Sequence, residues 1–130
     1  MEAKIKSLVE NLTEKTDKKE TKWERVGKSE KFMLTLDTGK ITIDKLKTSA
    51  GEILYQFVVI NTNGDNILVL NAMFPKGGLP GQEYDYTIFK KMHETIKRNY
   101  FKVEETIEGL LEETKKTGEI GKSTSNDLPF

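Results

Sequence analysis

Residues 53–60 have the sequence Ile-Leu-Tyr-Gln-Phe-Val-Val-Ile, which is apolar at every position except Gln56. An apolar run of this length, with no alternation, predicts a central strand that is covered on both faces. Asn63-Gly64 follows, and this pair favours the positive φ angles of a tight hairpin turn. Residues 67–74 are again mostly apolar and predict the returning strand. The fold is therefore expected to be built around an antiparallel hairpin.

A second predicted hairpin precedes the first. Residues 32–36 and 41–44 alternate between apolar and other side chains, and residues 37–40, Asp-Thr-Gly-Lys, have the composition of a turn. Alternation with period two is typical of strands that bury one face. The two hairpins together predict a four-stranded antiparallel meander.

One helix is predicted before this meander in the sequence and another after it. Apolar residues in 3–14 recur at helical spacing, and a second stripe runs through residues 85–116 in steps of three and four. The predicted fold class is α+β: an N-terminal helix, a four-stranded antiparallel meander, one long C-terminal amphipathic helix and a disordered tail. We expect one domain over residues 1–116 and a flexible tail over 117–130, where Gly, Ser, Thr and Lys predominate.

Composition limits the function. The 130 residues include 21 basic and 21 acidic side chains, so binding to nucleic acid would need a local basic patch. The chain has no cysteine, its N-terminus lacks the apolar run of a signal peptide, and no stretch approaches the ~18 apolar residues of a membrane span. We expect a cytoplasmic protein without membrane contact.

Enzymatic chemistry has few candidate groups. His93 is the only histidine, and it lies beside an apolar helical stripe, where packing is its commoner role. The triplet Asp37-Thr38-Gly39 falls where a turn is needed, and exposed glutamates near residues 104–113 have no neighbour that would raise a pKa. We therefore expect a non-enzymatic protein without a metal or other cofactor.

Basic and aromatic residues are interleaved in the first half of the chain. Proteins that bind single strands combine a basic groove with aromatic side chains on which bases stack. The nucleic-acid-binding candidates are Trp23, Arg25, Lys31, Lys40, Lys45, Lys47 and Tyr55. An ordinary charged surface remains an alternative, because acids such as Glu24, Glu30 and Asp44 alternate with the basic residues.

The chain ends in Asp127-Leu128-Pro129-Phe130, an acidic and apolar segment that carries a free carboxylate. Phe130 could fill an apolar pocket while an Arg or Lys of the partner grips the carboxylate, and Pro129 would limit the entropy lost on docking. This tip resembles the C-terminal tip of bacterial single-stranded DNA-binding proteins. The resemblance implies that Asp127, Leu128, Pro129 and Phe130 recruit host DNA repair and replication proteins. Ser125 and Asn126 stand where that family has further acids, which weakens the electrostatic part of docking.

The predicted body differs from that family, whose oligonucleotide-binding barrel has strands after its helix. The order of elements over residues 31–116 is similar to Whirly-type and transcriptional coactivator-type single-strand binders, which dimerise, and to some phage-encoded single-strand binders. Basic residues in the first half of the long helix and acidic residues in the second half also favour an antiparallel homodimer.

Three functions are consistent with these observations. The first is a small single-stranded DNA-binding protein, of phage or mobile-element origin, whose tip recruits repair and replication proteins. The second is an adaptor or inhibitor that uses the tip to occupy partner pockets without binding DNA. The third is a module that binds a small ligand between sheet and helix. An uncovered sheet face carrying Tyr55 and lysines would favour the first, and helices on both faces would favour the second.

Overall fold

The computed structural model describes residues 2–73 and 82–122. Its class is α+β, with an N-terminal helix and an antiparallel sheet, as predicted. The elements in these residues are α1 (Ala3–Asp17), β1 (Glu24–Arg25), β2 (Phe32–Thr35), β3 (Gly39–Lys47), β4 (Ile53–Asn61), β5 (Asn66–Met73), α2 (Gln82–Tyr100) and α3 (Val103–Thr114).

The described sheet has five strands in the order β1-β2-β3-β4-β5, each antiparallel to its neighbour. The meander was predicted with four strands, and the fifth is a correction. Glu24 and Arg25 form β1 by pairing with Met33 and Phe32. A strand of two residues is too short to show an alternating pattern, so the sequence does not reveal it.

The hairpins close where the sequence predicts turns. Gly64 has a φ of 87°, and the side-chain oxygen of Asn61 accepts hydrogen bonds from the backbone N–H groups of Asn63 and Asp65, each at 3.0 Å. At the other turn, a Cβ on Gly39 would collide with the carbonyl oxygen of Ile60. Glycine at this position therefore allows β3 and β4 to approach closely.

The predicted long C-terminal helix is two helices, which is a second correction. The chain leaves α2 after Tyr100, and Lys102 adopts a left-handed conformation with a φ of 53° before α3 begins at Val103. No glycine or proline marks this break, and the three- and four-residue spacing of apolar side chains continues through it. Periodicity alone therefore predicted an unbroken helix.

One face of the sheet, here called the inner face, packs against α2, which contacts β3, β4 and β5. The Phe57 ring of β4 stacks on the Phe89 ring of α2, with centroids 5.4 Å apart and planes 17° from parallel. Burial of each such side chain contributes roughly 1.5–3 kcal/mol. The buried residues of the inner face are Phe32, Leu34, Ile41, Ile43, Tyr55, Phe57 and Ala72.

The N-terminal helix extends this layer. α1 packs against α2, and its Val9 and Leu12 belong to the same apolar core as the inner face. Two buried threonines on α1, Thr13 and Thr16, donate their hydroxyl hydrogens to the carbonyl oxygens of Val9 and Leu12, at 2.8 and 2.7 Å. Their polar atoms are thus satisfied inside the helical layer.

The other face of the sheet, here called the open face, is covered by none of the described helices. The strand register places Met33, Leu46, Leu54, Val58, Ile60, Val69 and Met73 on it. The sequence of β4 predicted cover on both faces, and the structure shows a helix on one. Two paired residues in the middle of this face are nevertheless buried, Val58 at 7% and Thr42 at 4% exposure.

Candidate functional site

Trp23 is a core residue and not an exposed platform for bases. Its ring is 7% exposed, and its Nε1–H donates to the hydroxyl oxygen of Thr16 at 2.9 Å. The same oxygen accepts a hydrogen bond from the hydroxyl of Thr21 at 3.0 Å. Trp23 therefore anchors the segment before β1 to α1.

Tyr55 is also buried. It lies on the inner face, is 1% exposed, and its ring contacts those of Tyr86 and His93 at centroid distances of 5.3 and 5.6 Å. Burial raises the pKa of the Tyr55 hydroxyl to about 12. Neither predicted aromatic candidate presents a ring face to solvent.

The predicted lysines do not form one groove. Lys40 lies on the open face, where it pairs with Thr35 and Ile60. Lys45 and Lys47 have the opposite orientation, because they pair with Tyr55 and Ile53 of the inner face. Lys31 precedes β2 and is partly buried. The structure thus distributes these side chains over different surfaces.

Arg25 lies in a surface that the sequence did not predict, here called the aromatic corner and formed by Arg25, Lys28, Tyr100, Phe101 and Lys102. The Arg25 guanidinium carbon is 5.2 Å from the centre of the Phe101 ring. Its Nε–H and Nη2–H donate to the carbonyl oxygens of Ser29 and Lys28 at 2.8 and 2.9 Å. Tyr100 and Phe101 are 42% and 43% exposed. Cation–π contact holds the basic group against an exposed ring.

Sequence reasoning missed Tyr100 and Phe101 as surface residues. Tyr100 continues the apolar spacing of α2, so an unbroken helix would place it on the buried stripe. Tyr100 ends α2 partly exposed, with its ring edge-on to the buried Phe32 at a centroid distance of 5.4 Å. Phe101 follows at the break, and its ring centroid lies 5.1 Å from that of Tyr100. The one available signal is the pair of adjacent aromatic residues followed by Lys102, which a stripe of period 3.6 does not require.

Intramolecular ion pairs offset the positive charge near this corner. The Lys97 ammonium lies 2.8 Å from the Glu30 carboxylate, and Arg98 pairs with Glu104. The hydrogen bond from Lys97 is the largest effect that lowers the pKa of the Glu30 carboxyl. Basic residues that the sequence offers to a ligand are therefore partly engaged within the chain.

His93 is buried beneath the sheet. Its ring is 1% exposed and meets Phe32 and Tyr55 at centroid distances of 5.6 Å. Nε2 lies 2.6 Å from the carbonyl oxygen of Glu30, and since a carbonyl only accepts, Nε2 carries a hydrogen. Burial lowers the pKa of His93, while the Glu30 carbonyl and carboxylate oppose this. The neutral ring packs in the core and tethers the loop before β2.

The open face is mixed in character, with exposed polar residues such as Thr35, Lys40 and Asn71 beside exposed apolar ones. Val69 is 46% exposed, Met73 43% and Leu46 38%. Gln56 and Asn71 form a side-chain hydrogen bond of 3.0 Å across the β4–β5 pair. A shallow depression of about 490 Å³ lies at one end, lined in part by Met33, Leu36 and Ile60. In the described strands this face carries no aromatic side chain.

α3 presents apolar side chains to solvent. Ile107, Leu110 and Leu111 share one side of the helix and are 46%, 56% and 54% exposed, and none of its residues is buried. Together they are called here the α3 stripe. Its ion pairs with the body are made instead by glutamates, Glu104 with Arg98 and Glu105 with Lys19. The helix is thus attached through polar groups while its apolar residues face outward.

The third predicted function needs a ligand site between the sheet and a helix. Around the Phe57–Phe89 stack the sheet and α2 are in contact and leave no space for a ligand. A groove of about 550 Å³ lies instead between α1 and α2, lined by Glu10, Thr13, Glu14, Asp17, Ile88, Lys91 and Thr95.

The remaining predictions concern the C-terminal tip, metal binding and membrane contact. The tip residues Asp127, Leu128, Pro129 and Phe130 lie outside the described residues. Within residues 2–73 and 82–122, no cluster of three or more His, Cys, Asp or Glu side chains is arranged to hold a metal ion. No described helix is both long and apolar enough to cross a membrane.

Comparison with known proteins does not identify a relative. No protein-family model, no curated protein and no solved structure matches the chain significantly.

Replacing Thr16 by valine should destabilise the protein more than replacing Thr13. Both threonines are buried and bond to a carbonyl one turn earlier, but only Thr16 also accepts the Trp23 N–H. Thr16→Val leaves that donor unsatisfied, which costs about 1–3 kcal/mol. Denaturant unfolding, followed by the fluorescence of the chain's single tryptophan, measures both variants. Equal losses would show that the Trp23 hydrogen bond is not needed.

Stability should fall between neutral and mildly acidic pH because of His93. The folded pKa lies below the ordinary value of 6.5, so the unfolded chain binds a proton first and is favoured as pH falls through 6.5. The loss ends below the folded pKa. Glu30 adds a separate loss at lower pH, because its pKa lies below 4.5.

His93→Gln keeps a hydrogen-bond donor but cannot titrate, so it should flatten the loss near pH 6.5. Thermal unfolding of both proteins at a series of pH values measures the difference. An unchanged pH dependence in His93→Gln would assign the effect to another group.

Proposed function

We propose that this protein is a non-enzymatic adaptor or inhibitor that binds other proteins through exposed apolar surfaces and through its C-terminal tip. The observation that carries the proposal is the open face. Leu46 and Met73 are exposed there on either side of Leu54, and Val69 is exposed beside Val58. The Gln56–Asn71 pair lies between these two apolar groups, and none of the described helices covers them. Contiguous exposed apolar side chains are typical of surfaces that bind protein.

The chemistry of the open face favours protein over nucleic acid. Bases stack on aromatic rings, and the backbone of a single strand follows a positively charged groove. The open face offers Met, Val, Leu and Ile side chains, and its charged residues are Lys40, Glu24 and Asp44 in the described strands. Apolar protein side chains would lose water on contact with this face at a gain of roughly 25 cal/mol per Å².

The tip supports the second part of the proposal. Asp127-Leu128-Pro129-Phe130 resembles the segment by which single-stranded DNA-binding proteins recruit repair and replication enzymes. An adaptor or inhibitor that carries this segment would occupy the same pockets on those enzymes. The partner chemistry is an apolar pocket for Phe130 beside a basic side chain for its carboxylate.

The full chain should therefore displace a labelled single-strand-binder tip peptide from a purified repair enzyme that binds it. Phe130→Ala should weaken this competition at least about tenfold, because a pocket-filling aromatic residue is a typical hot spot. Ser125→Ala, a matched change outside the tip, should compete like the unaltered chain. Fluorescence anisotropy of the peptide measures the displacement. Failure of the full chain to compete, or equal competition by Phe130→Ala, would contradict the proposed tip function.

Single-stranded DNA binding is a second candidate, favoured by the aromatic corner. Tyr100 and Phe101 are partly exposed rings, the Arg25 guanidinium contacts Phe101, and Lys28 and Lys102 are close in sequence to these residues. This combination matches what single-strand binders use, although only Arg25 belongs to the residues predicted from sequence. The nearby Glu30 and Glu104, paired with Lys97 and Arg98, limit the positive potential.

If the aromatic corner binds a single strand, a labelled oligo-dT should bind at low salt and weaken as salt rises. Phe101→Ala should then lower affinity about 5- to 100-fold, which corresponds to the stacking of one base. Lys40→Ala, on the open face, serves as the control and should leave affinity nearly unchanged. Absence of binding at low salt would remove this candidate and leave the adaptor proposal intact.

A further inference from the structure

α3 is an amphipathic helix that exposes its apolar side and contacts the rest of the chain through charged residues. Amphipathic surface helices usually bury the apolar stripe and expose the charged side. Here Ile107, Leu110 and Leu111 are about half exposed, and the ion pairs with the body come from Glu104 and Glu105. The stripe is therefore available to a partner without any rearrangement of the chain.

This helix gains little from its own chain. It has 12 residues, and isolated helices of 12–15 residues or fewer are marginal in water. None of its residues is buried, and exposed ion pairs such as Lys19–Glu105 contribute about 0–1 kcal/mol. Cover for the α3 stripe would supply the apolar burial that most helices in proteins rely on.

The open face offers a surface of matching size and chemistry. A 12-residue helix is about 18 Å long, and the nine residues of β4 span about 30 Å. The exposed apolar residues of the open face are Leu46 and Met73 on one side of the Gln56–Asn71 pair and Val69 on the other, so the stripe would lie across one polar row. Helical spacing places Glu105, Glu108 and Glu112 on the side of α3 away from the stripe, so docking would leave these acids in water.

One chain does not bring these two surfaces together. α3 packs against α2, and α2 lies on the inner face of the sheet, opposite the open face. We propose that two copies of this chain associate reciprocally, with the α3 stripe of each docked on the open face of the other. Because each copy contributes both surfaces, a twofold pair contains the contact twice and then closes. Stable interfaces bury roughly 1,200–2,000 Å² in total, and a pair that contains the contact twice buries twice the area of a single contact.

This arrangement differs from the antiparallel helix pairing that the charge pattern suggested. That pairing would set the basic part of α2 against the acidic α3 of a second copy. Two of the five basic residues predicted for those contacts, Lys97 and Arg98, already pair with Glu30 and Glu104 of their own chain, whereas Lys90, Lys91 and Lys102 complete the predicted basic cluster. The apolar face of α2, including Phe89, Met92 and Ile96, is buried in the core. The docked stripe would occupy the open face, so a protein partner that binds this face would compete with self-association, whereas binding through the tip would not.

The absence of cysteine in the chain makes the contact testable by cross-linking. Val69→Cys places a thiol on the open face, and Leu110→Cys places one on the stripe. A mixture of these two variants, treated with a short bismaleimide, should give about tenfold more covalent dimer than either variant alone, since the docked thiols have a high effective concentration. Val69→Cys mixed with Glu112→Cys, on the far side of α3, should stay near background.

A second measurement keeps the test independent of cross-linking. The unaltered chain should sediment as a dimer, and Leu110→Gln combined with Leu111→Gln should sediment as a monomer. Because neither leucine is buried, Trp23 fluorescence should remain that of the folded chain. Cross-linking of Leu110→Cys alone as efficient as that of the mixture would overturn the proposal in favour of contact between two α3 helices. Sedimentation of the unaltered chain as a monomer at high concentration would overturn it as well.

Discussion

The stack of Phe57 on Phe89 joins the two layers of this protein, and most of the remaining structure depends on it. It fixes α2 against the middle of the sheet and so determines which face of every strand is buried. Side chains alternate along a strand, so one inward Phe57 also sets Tyr55 inward and Gln56 outward. α1 then packs on α2, and its Val9 and Leu12 complete the core. With both helices in one layer, the second face of the sheet has no cover from either.

Packing of the helices on one face of the sheet also explains why three candidate functional residues, Trp23, Tyr55 and His93, are buried in the core. Tyr55 and His93 lie between the sheet and α2, and Trp23 seals the edge of the core near α1. Burial leaves the N–H donors of Trp23 and His93 without water, and each finds a protein acceptor: Trp23 Nε1 bonds to Thr16, and His93 Nε2 bonds to the Glu30 carbonyl. Unpaired donors inside a core cost about 1–3 kcal/mol, so these bonds constrain the surrounding loops.

The sequence predicted the elements of this fold better than its surfaces. Residues 53–60 and Asn63-Gly64 predict the central hairpin because apolarity and turn chemistry are local properties. The break at Lys102 was missed because it lies in the backbone conformation of one residue, without glycine or proline. Trp23 and Tyr55 were assigned to a surface because composition shows that aromatic and basic residues are near in sequence. Composition does not show which face of the sheet packs against the helix. In the structure Tyr55 is on the face that packs against α2, and Lys40 is on the open face.

Because the chain has equal numbers of acidic and basic side chains, acids of the same chain can pair with its exposed basic groups. Several exposed basic groups are already paired within the chain, including Lys97 with Glu30, Arg98 with Glu104 and Lys19 with Glu105. A phosphate ligand would have to compete with these carboxylates, whereas an apolar ligand would not. The α3 stripe and the open face have no intramolecular competitor among the described residues, and their burial would release water from both sides. Recognition driven by apolar contact therefore fits this surface distribution better than recognition driven by charge.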